Sequence, residues 1–229
     1  MRFSLRTVLT ALAAILALTA ITASAATAAP EWYVKKAKTW SKVSTPVNVT
    51  FKGSYELTFE FNGSYDKFKC EENKIEGTIG SGGLGTISTF EQLEPHRLCK
   101  GIETEKKLNE CPSIEKVNAF NLPWQTDLYA EGGATRAKIV HKEGALGAAS
   151  EWTCNTEFFG KHPLVCSVET STQLTNNGIA GTVESNSDSK SNKVWCVKES
   201  QVGGAWTFRE IIRPTEAEKT AGVEAIKVE

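Results

Sequence analysis

All six cysteines of this chain lie downstream of an N-terminal stretch that has the features of a cleavable export signal; they are Cys70, Cys99, Cys111, Cys154, Cys166 and Cys196. Arg2 and Arg6 give this stretch a positive start, residues 7–23 carry no charge, and small residues in an A-x-A pattern follow. We predict that residues 1–28 are a signal peptide and that residues 29–229 form a single β-rich domain with a mobile C-terminal end. Because disulfides persist in oxidising compartments, the cysteines predict a secreted, extracellular, disulfide-stapled protein.

Alternation of apolar and polar residues, which is typical of half-buried strands, occurs at several places in the chain. Residues 47–52 and residues 55–62 both alternate in this way. A three-residue loop with Phe51 opposite Tyr55 keeps the two apolar sets on one face, whereas a two-residue loop would separate them. The sequence therefore predicts a hairpin between these two segments.

A second hairpin is predicted at Asn177-Gly178, because this dipeptide favours the two-residue turn that matches the twist of the flanking strands. Leu174 would then pair with Gly181. In that register Leu174 and Ile179 would lie together on the apolar face of the hairpin.

Two more hairpins are predicted from strand-like segments that flank glycines. One joins residues 124–128 to residues 137–140 through a Gly-Gly turn, and the other brings residues 152–154 back against residues 164–166 around Gly160. Helical patterns are scarce, although residues 214–221, where a proline precedes good helix formers, allow a short C-terminal helix. The sequence predicts an all-β fold, a sandwich or a barrel of short antiparallel strands.

The distribution of the cysteines predicts how they pair. Three lie between residues 70 and 111 and three between residues 154 and 196, so full pairing requires at least one bond between the two halves. The predicted hairpin around Gly160 allows Cys154 to face Cys166, which favours a disulfide between them. Cys99 and Cys111 lie close together in one predicted loop, which favours a second disulfide. These two choices leave Cys70 with Cys196 as the bond between the halves.

Charge and length disfavour two classes of partner. Two of the 26 Lys and Arg residues lie in the predicted signal, which leaves 24 against 27 Asp and Glu. This balanced surface disfavours nucleic-acid binding. The apolar run near the N-terminus is shorter than the ~20 residues of a membrane span. We also find no apolar C-terminal segment, and so expect no stable membrane anchor.

Motifs for cofactors and catalysis are weak. The run from Gly80 to Gly85 matches G-x-G-x-x-G, but strand-like residues follow it where a dinucleotide site needs a helix, so we predict a turn or bulge. His96, His141 and His162 share no metal-ligand spacing. There is no G-x-S-x-G elbow, and no pair of carboxylates is singled out. We expect no cofactor and no metal.

Six tryptophans are the remaining candidates for a binding surface. Trp124, Trp152 and Trp195 lie inside strand-like segments, which predicts core packing. The tryptophans nearer the ends of the chain are the predicted exposed ligand surface; they are Trp32, Trp40 and Trp206.

A block at residues 117–128 contains the string NLPWQTDL and is followed by Gly132-Gly133, by Trp152-Thr153-Cys154 and by Cys166. In these motifs the chain resembles a group of uncharacterised exported proteins of high-GC Gram-positive bacteria that share an NLPWxTxL stretch. The resemblance covers roughly residues 70–196. It implies an exported β-rich domain and no particular activity.

Two function classes follow. The first is a secreted non-catalytic β module that binds an extracellular ligand, such as a cell-wall polymer, a carbohydrate or a protein, or that serves as a structural surface protein. The second is a secreted hydrolase or a hydrolase inhibitor, for which the loop between Cys99 and Cys111 is the natural inhibitory segment. The identity of the ligand and the oligomeric state are left open by the sequence.

Overall fold

The computed structural model describes residues 28–61, 64–71, 73–92, 99–104, 113–140, 149–156, 160–187, 193–198 and 200–229. Strands dominate this part of the chain. In chain order the elements are β1 (Trp32–Lys36), β2 (Thr39–Lys42), β3 (Val47–Phe61), β4 (Ser64–Glu71), β5 (Asn73–Ile79), β6 (Leu84–Gln92), β7 (Cys99–Thr104), β8 (Ser113–Phe120), β9 (Trp124–Glu131), β10 (Ala134–Val140), β11 (Ala149–Thr156), β12 (Gly160–Glu169), β13 (Ser171–Asn177), β14 (Thr182–Asn186), β15 (Lys193–Lys198), β16 (Ser200–Pro214), α1 (Glu216–Thr220) and β17 (Val223–Val228).

Strands β3 to β16 form one closed antiparallel barrel. The barrel wall has eight long strands. Two of them are β3 and β16, and each of the other six consists of two strands that follow one another in the chain: β4 with β5, β6 with β7, β8 with β9, β10 with β11, β12 with β13 and β14 with β15. Each of these long strands pairs with the one before it and the one after it in the chain. β16 closes the barrel by pairing with β3, from Gly203↔Glu60 to Pro214↔Val49. The fold is therefore an eight-stranded up-and-down barrel, and its closure leaves the described barrel wall without an open sheet edge.

A small sheet in the order β17-β1-β2 covers one end of this barrel. Its residues Trp32, Val223 and Ile226 belong to the same buried cluster as Val49 and Val183 of the barrel wall. We call the adjoining part of the barrel the capped half; it consists of β5, β6, β9, β10, β13 and β14 with the adjoining parts of β3 and β16. The main hydrophobic core lies where the sheet meets the capped half.

The predicted fold class is confirmed, and of its two forms the barrel is present. The strands are not all short, however, because β3 and β16 each run for 15 residues. The predicted hairpin between residues 47–52 and residues 55–62 is wrong, since both segments belong to the single strand β3. Pairing with β16 along nearly its whole length holds β3 straight through Gly53, where a turn was expected.

The hairpin at Asn177 has a different register from the predicted one. Leu174 pairs with Ser185, and the last pair is Asn177↔Thr182, so the loop has four residues. Gly181, at φ 63°, donates its N–H to the carbonyl of Asn177 (2.9 Å) and accepts a hydrogen bond from the N–H of Ile226 (3.0 Å). This docking against β17 favours the longer loop, and it leaves Ile179 fully exposed instead of buried.

The glycine-flanked hairpins agree better with the sequence. β9 and β10 pair through a two-residue turn in which Gly132 and Gly133 both have positive φ, as predicted. The glycine run at residues 80–85 is a short turn followed by β6, again as predicted. β11 and β12 also pair, but Cys154 lies opposite His162 and Cys166 opposite Ser150, so the expected opposition of Cys154 and Cys166 is absent.

The C-terminal end contains the predicted short helix, α1, whose N-cap Thr215 accepts a hydrogen bond from the backbone N–H of Glu218 (3.3 Å). The mobility predicted for this end stays a prediction. Residues 223–228 form β17, which pairs with β1 and buries Val223, Ala225, Ile226 and Val228. The side chain of Asn176 bonds both backbone groups of Val228, at 2.7 and 2.8 Å, and fixes this strand to the barrel.

The predicted signal peptide, residues 1–28, lies outside the described residues except for its last one. Within the described ranges no helix is long and apolar enough to cross a membrane.

Candidate functional site

A cavity of about 70 Å³ lies inside the capped half of the barrel. That is several times the roughly 10–15 Å³ that one water molecule needs. The small sheet closes one end of it through Trp32. Most of the described lining is apolar and includes Phe51, Ile75, Ile79, Phe90, Trp124 and Leu174.

Strand alternation produces this lining. Along β9, for example, Trp124 and Leu128 are buried whereas Gln125 is exposed. The rings of Trp124 and Phe90 are 5.7 Å apart and tilted by 42°, an arrangement that aromatic pairs favour. The indole N–H of Trp124 donates to the carbonyl of Phe120 at 2.7 Å. The only polar atom of this ring is therefore satisfied by the protein, and its faces are left for apolar contact.

One side of the cavity carries a strip of polar residues on three neighbouring strands. Thr172 on β13 and Ser185 on β14 are buried, and their hydroxyl groups share a hydrogen bond of 2.8 Å. Ser185 pairs directly with Glu210 on β16. Because paired residues of antiparallel strands lie on the same face of the sheet, Glu210 continues this strip on the inner wall. We call Thr172, Ser185 and Glu210 the polar strip.

Glu210 is the unusual member of the polar strip because a carboxyl group is rarely buried without a partner. The residue is only 7% exposed. No hydrogen bond or ion pair links its carboxyl group to any other described residue within the ranges given above. Loss of hydration on burial raises the pKa of Glu210 to about 7.

The cation next to Glu210 in the chain, Arg209, and the cation in the described lining of the cavity, Lys138, are both directed elsewhere. Arg209, the chain neighbour of Glu210, donates to the Glu184 carboxylate at 2.7 Å on the outer wall, where it lowers the pKa of Glu184. The ammonium group of Lys138 lies over the ring of Tyr129, 5.3 Å from its centroid. These contacts leave Glu210 without a counterion from either residue.

The position opposite Glu210 on the other side of β16 is Gly53 of β3. A Cβ atom at Gly53 would lie 1.9 Å from the carbonyl oxygen of Arg209 and 2.8 Å from the Cα of Glu210. Only glycine permits this approach of the two backbones. Glu210 is thus flanked by a residue without a side chain on one strand and by the small Ser185 on the other.

Of the three tryptophans predicted to form an exposed ligand surface, the structure describes the side chains of Trp32 and Trp40, and of these two Trp40 alone is exposed. Trp32 is 5% exposed and belongs to the core, because β1 lies between β17 and β2 and packs on the barrel end. Trp40 on β2 is 37% exposed, and the ammonium of Lys227 lies 4.8 Å from its ring centroid. Trp206 is a residue of β16 whose side chain lies outside the described part.

Core packing is confirmed for Trp124, which is 3% exposed. The side chains of Trp152, Trp195 and all six cysteines lie outside the described part, so their predicted packing and bonding stay predictions. His96 and His141 are also outside the described residues. Among the described residues no three His, Cys, Asp or Glu side chains lie close enough to hold a metal ion.

Comparison with known proteins gives no match to a family model, to a curated protein or to a solved structure. The resemblance to exported proteins with an NLPWxTxL stretch therefore stays a prediction.

Sequence reasoning missed Glu210, although a signal for it was present. Trp206, Phe208, Glu210 and Ile212 occupy alternate positions in the sequence, and three of the four are large and apolar. A charged residue within an apolar alternation indicates a buried ionisable group.

Proposed function

We propose that this protein is a secreted non-catalytic β module that binds one small, largely apolar molecule inside its barrel. The observation that carries the proposal is the cavity beneath Trp32, with its apolar walls and its polar strip. Binding sites for small molecules combine an apolar lining with a few placed polar groups. An eight-stranded barrel is wide enough to hold one small ligand.

The composition of the site favours binding over hydrolysis. A glycosidase uses two carboxyl groups at a set separation, and among the described lining residues Glu210 is the only carboxyl group. The alternative of an inhibitor depends on the loop between Cys99 and Cys111, most of which lies outside the described residues. Of the ligands considered from the sequence, a polymer or a protein fits an internal cavity poorly.

Filling the cavity tests this proposal. Ala137 on β10 lines the cavity, and Ala130 on β9 is exposed. We expect n-hexanol to bind the wild type at one site, and Ala137→Leu to weaken its binding by about tenfold or more, which corresponds to about 1.4 kcal/mol. The measurement is a calorimetric titration of each purified protein.

The matched control is Ala130→Leu, which adds the same side chain outside the cavity and should leave the affinity unchanged. Absence of hexanol binding to the wild type would overturn the proposal, as would equal affinities of the two leucine variants.

A further inference from the structure

We infer that the molecule bound in the cavity carries a cationic amine, and that this amine lies against Glu210 of the polar strip. The inference rests on the proposed function and assigns the chemistry of its ligand. It starts from the geometry of the inner wall, where a buried carboxyl group faces a cavity and has no partner among the described side chains.

A carboxyl group in such a place requires a proton or a counterion, because an isolated buried charge is strongly unfavourable. Within the described part of the chain, the residues paired with Glu210 supply no cation: they are Gly53 on β3 and Ser185 on β14. Lys52, the chain neighbour of Gly53, pairs with Ile211 on the other face of the wall and is exposed. An ammonium group on the ligand would supply the missing charge, and binding would hold Glu210 in its ionised form.

The surroundings of Glu210 also suit the hydrogen-bonding capacity of an amine. A primary ammonium has three donors and no acceptor. The Glu210 carboxylate accepts one or two of these bonds, and the hydroxyl oxygens of Ser185 and Thr172 lie on the adjoining strands of the same face. Gly53 places no side chain beside the carboxyl group. The strip therefore offers hydrogen-bond acceptors to an ammonium group, and no side chain of β3 competes for them at the position paired with Glu210.

The same geometry disfavours anions. A ligand carboxylate or phosphate placed at this strip would meet the Glu210 charge in an apolar, poorly hydrated cavity, where like charges repel strongly. The ligand class is accordingly an amphipathic amine, with an apolar body that packs against Phe90, Trp124 and Ile79 and an ammonium end at Glu210.

Three probes of equal chain length distinguish the effect of the apolar body on affinity from that of the head group. They are n-hexylamine, n-hexanol and n-hexanoate. With the wild type at neutral pH, we expect hexylamine to bind at least about tenfold more tightly than hexanol, and hexanoate more weakly than both. Glu210→Gln should reduce hexylamine affinity by about tenfold or more and change hexanol affinity by less than about twofold. Calorimetric titration measures all three affinities.

The matched control is Glu184→Gln, which removes a carboxylate of the outer wall that is bonded to Arg209. It should leave all three affinities unchanged. Equal binding of hexylamine and hexanol to the wild type would overturn the amine assignment and leave the cavity function in place. Tighter binding of hexanoate would overturn it as well. Failure of every probe, hexanol included, would instead overturn the proposed function.

A second inference concerns the cysteines, and strand register alone carries it. Cys166 on β12 lies directly opposite Cys196 on β15. β4 and β7 pair up to Lys69↔Lys100, so the next position of this ladder sets Cys70 opposite Cys99. The Cα atoms of directly opposed residues are about 4.5–5.5 Å apart, which is within the range of a disulfide.

The geometry points to Cys166–Cys196 and Cys70–Cys99 as disulfides. Full pairing of the six cysteines then leaves Cys111 with Cys154 by elimination. In each case two thiols lose two protons and two electrons, and the disulfide of a thiol–disulfide oxidoreductase accepts them and becomes a dithiol.

Peptide mapping of the unreduced protein, exported into an oxidising compartment and digested with trypsin, tests the pairing. A lysine or arginine lies between every two successive cysteines, so each bond gives a distinct linked pair of peptides. We expect the linked pairs 70–99, 166–196 and 111–154. The pairs 154–166, 99–111 or 70–196, predicted from sequence, would overturn the register assignment, and so would cysteines that are alkylated without reduction.

Discussion

Replacing Gly53 with alanine is expected to destabilise the barrel by about 3 kcal/mol or more, at the upper end of what overpacking costs. The added Cβ would lie 1.9 Å from the carbonyl oxygen of Arg209. Both Arg209 and the adjoining Glu210 are in the middle of β16, so only a displacement of one strand from the other relieves the clash. Because β3 and β16 close the barrel, this displacement weakens the pair that joins the ends of the sheet. Urea unfolding followed by tryptophan fluorescence measures the change.

The matched control is Gly178→Ala. Nothing lies within 4 Å of a Cβ at Gly178, and its backbone is not left-handed. Alanine there should change the free energy of unfolding by less than about 0.5 kcal/mol, or stabilise slightly by restricting the unfolded chain. If the two variants unfold at the same urea concentration, the proposed close approach of β3 and β16 is wrong.

Local signals in the sequence were sufficient where the neighbours along the chain decide the structure. The Gly132-Gly133 turn, the glycine run at residues 80–85 and the helix after Thr215 were all predicted, since positive φ values and capping groups are set by adjacent residues. Burial of Trp124 followed in the same way from the alternation of its own strand.

The errors arose where a distant segment decides the structure. β3 continues through Gly53 because β16, some 150 residues later, pairs with it. The turn after Asn177 lengthens because Ile226 of β17 bonds Gly181. Trp32 is on β1, which pairs with the same C-terminal strand, and no local pattern predicts that pairing. A local pattern carries no information about these long-range pairings.

The candidate site lies between these two cases. Alternate residues of a strand lie on the same face, so the local sequence of β16 is enough to place Glu210 on the face of Ile212. The other members of the polar strip come from β13 and β14, and the flanking residue without a side chain comes from β3. The closure of the barrel brings these strands together, so the residue could be found from the sequence but the cavity could not.

Glu210→Gln is expected to remove a pH dependence from the stability of the barrel. Burial raises the pKa of Glu210 from an ordinary 4.5 to about 7. Between these values the folded protein binds a proton that the unfolded chain has lost, so stability decreases as the pH rises. The stabilising effect of the protonated form is complete below about pH 4.5 and is lost by about pH 7, above which both states are ionised. A pKa difference of this size between the folded and unfolded states corresponds to a change in the free energy of unfolding on the order of 3 kcal/mol.

Glutamine keeps the shape of the protonated acid and cannot ionise, so the variant should resemble the wild type at pH 5 and exceed it at pH 8. The expected gain in Tm at pH 8 is roughly 6–12 °C for a domain of this size. The measurement is the Tm of both proteins in thermal melts from pH 4 to pH 9. Taking the difference in Tm at each pH cancels the effects of the other titrating groups, which the two proteins share. Glu184→Gln is the control, because Arg209 lowers the pKa of this outer-wall carboxyl, whose stabilising effect is lost only as the pH falls. A wild-type minus Glu210→Gln difference that stays constant from pH 4 to pH 9 would show that Glu210 is hydrated or paired, and the inner wall would then lack the unpartnered carboxyl group on which the amine assignment depends.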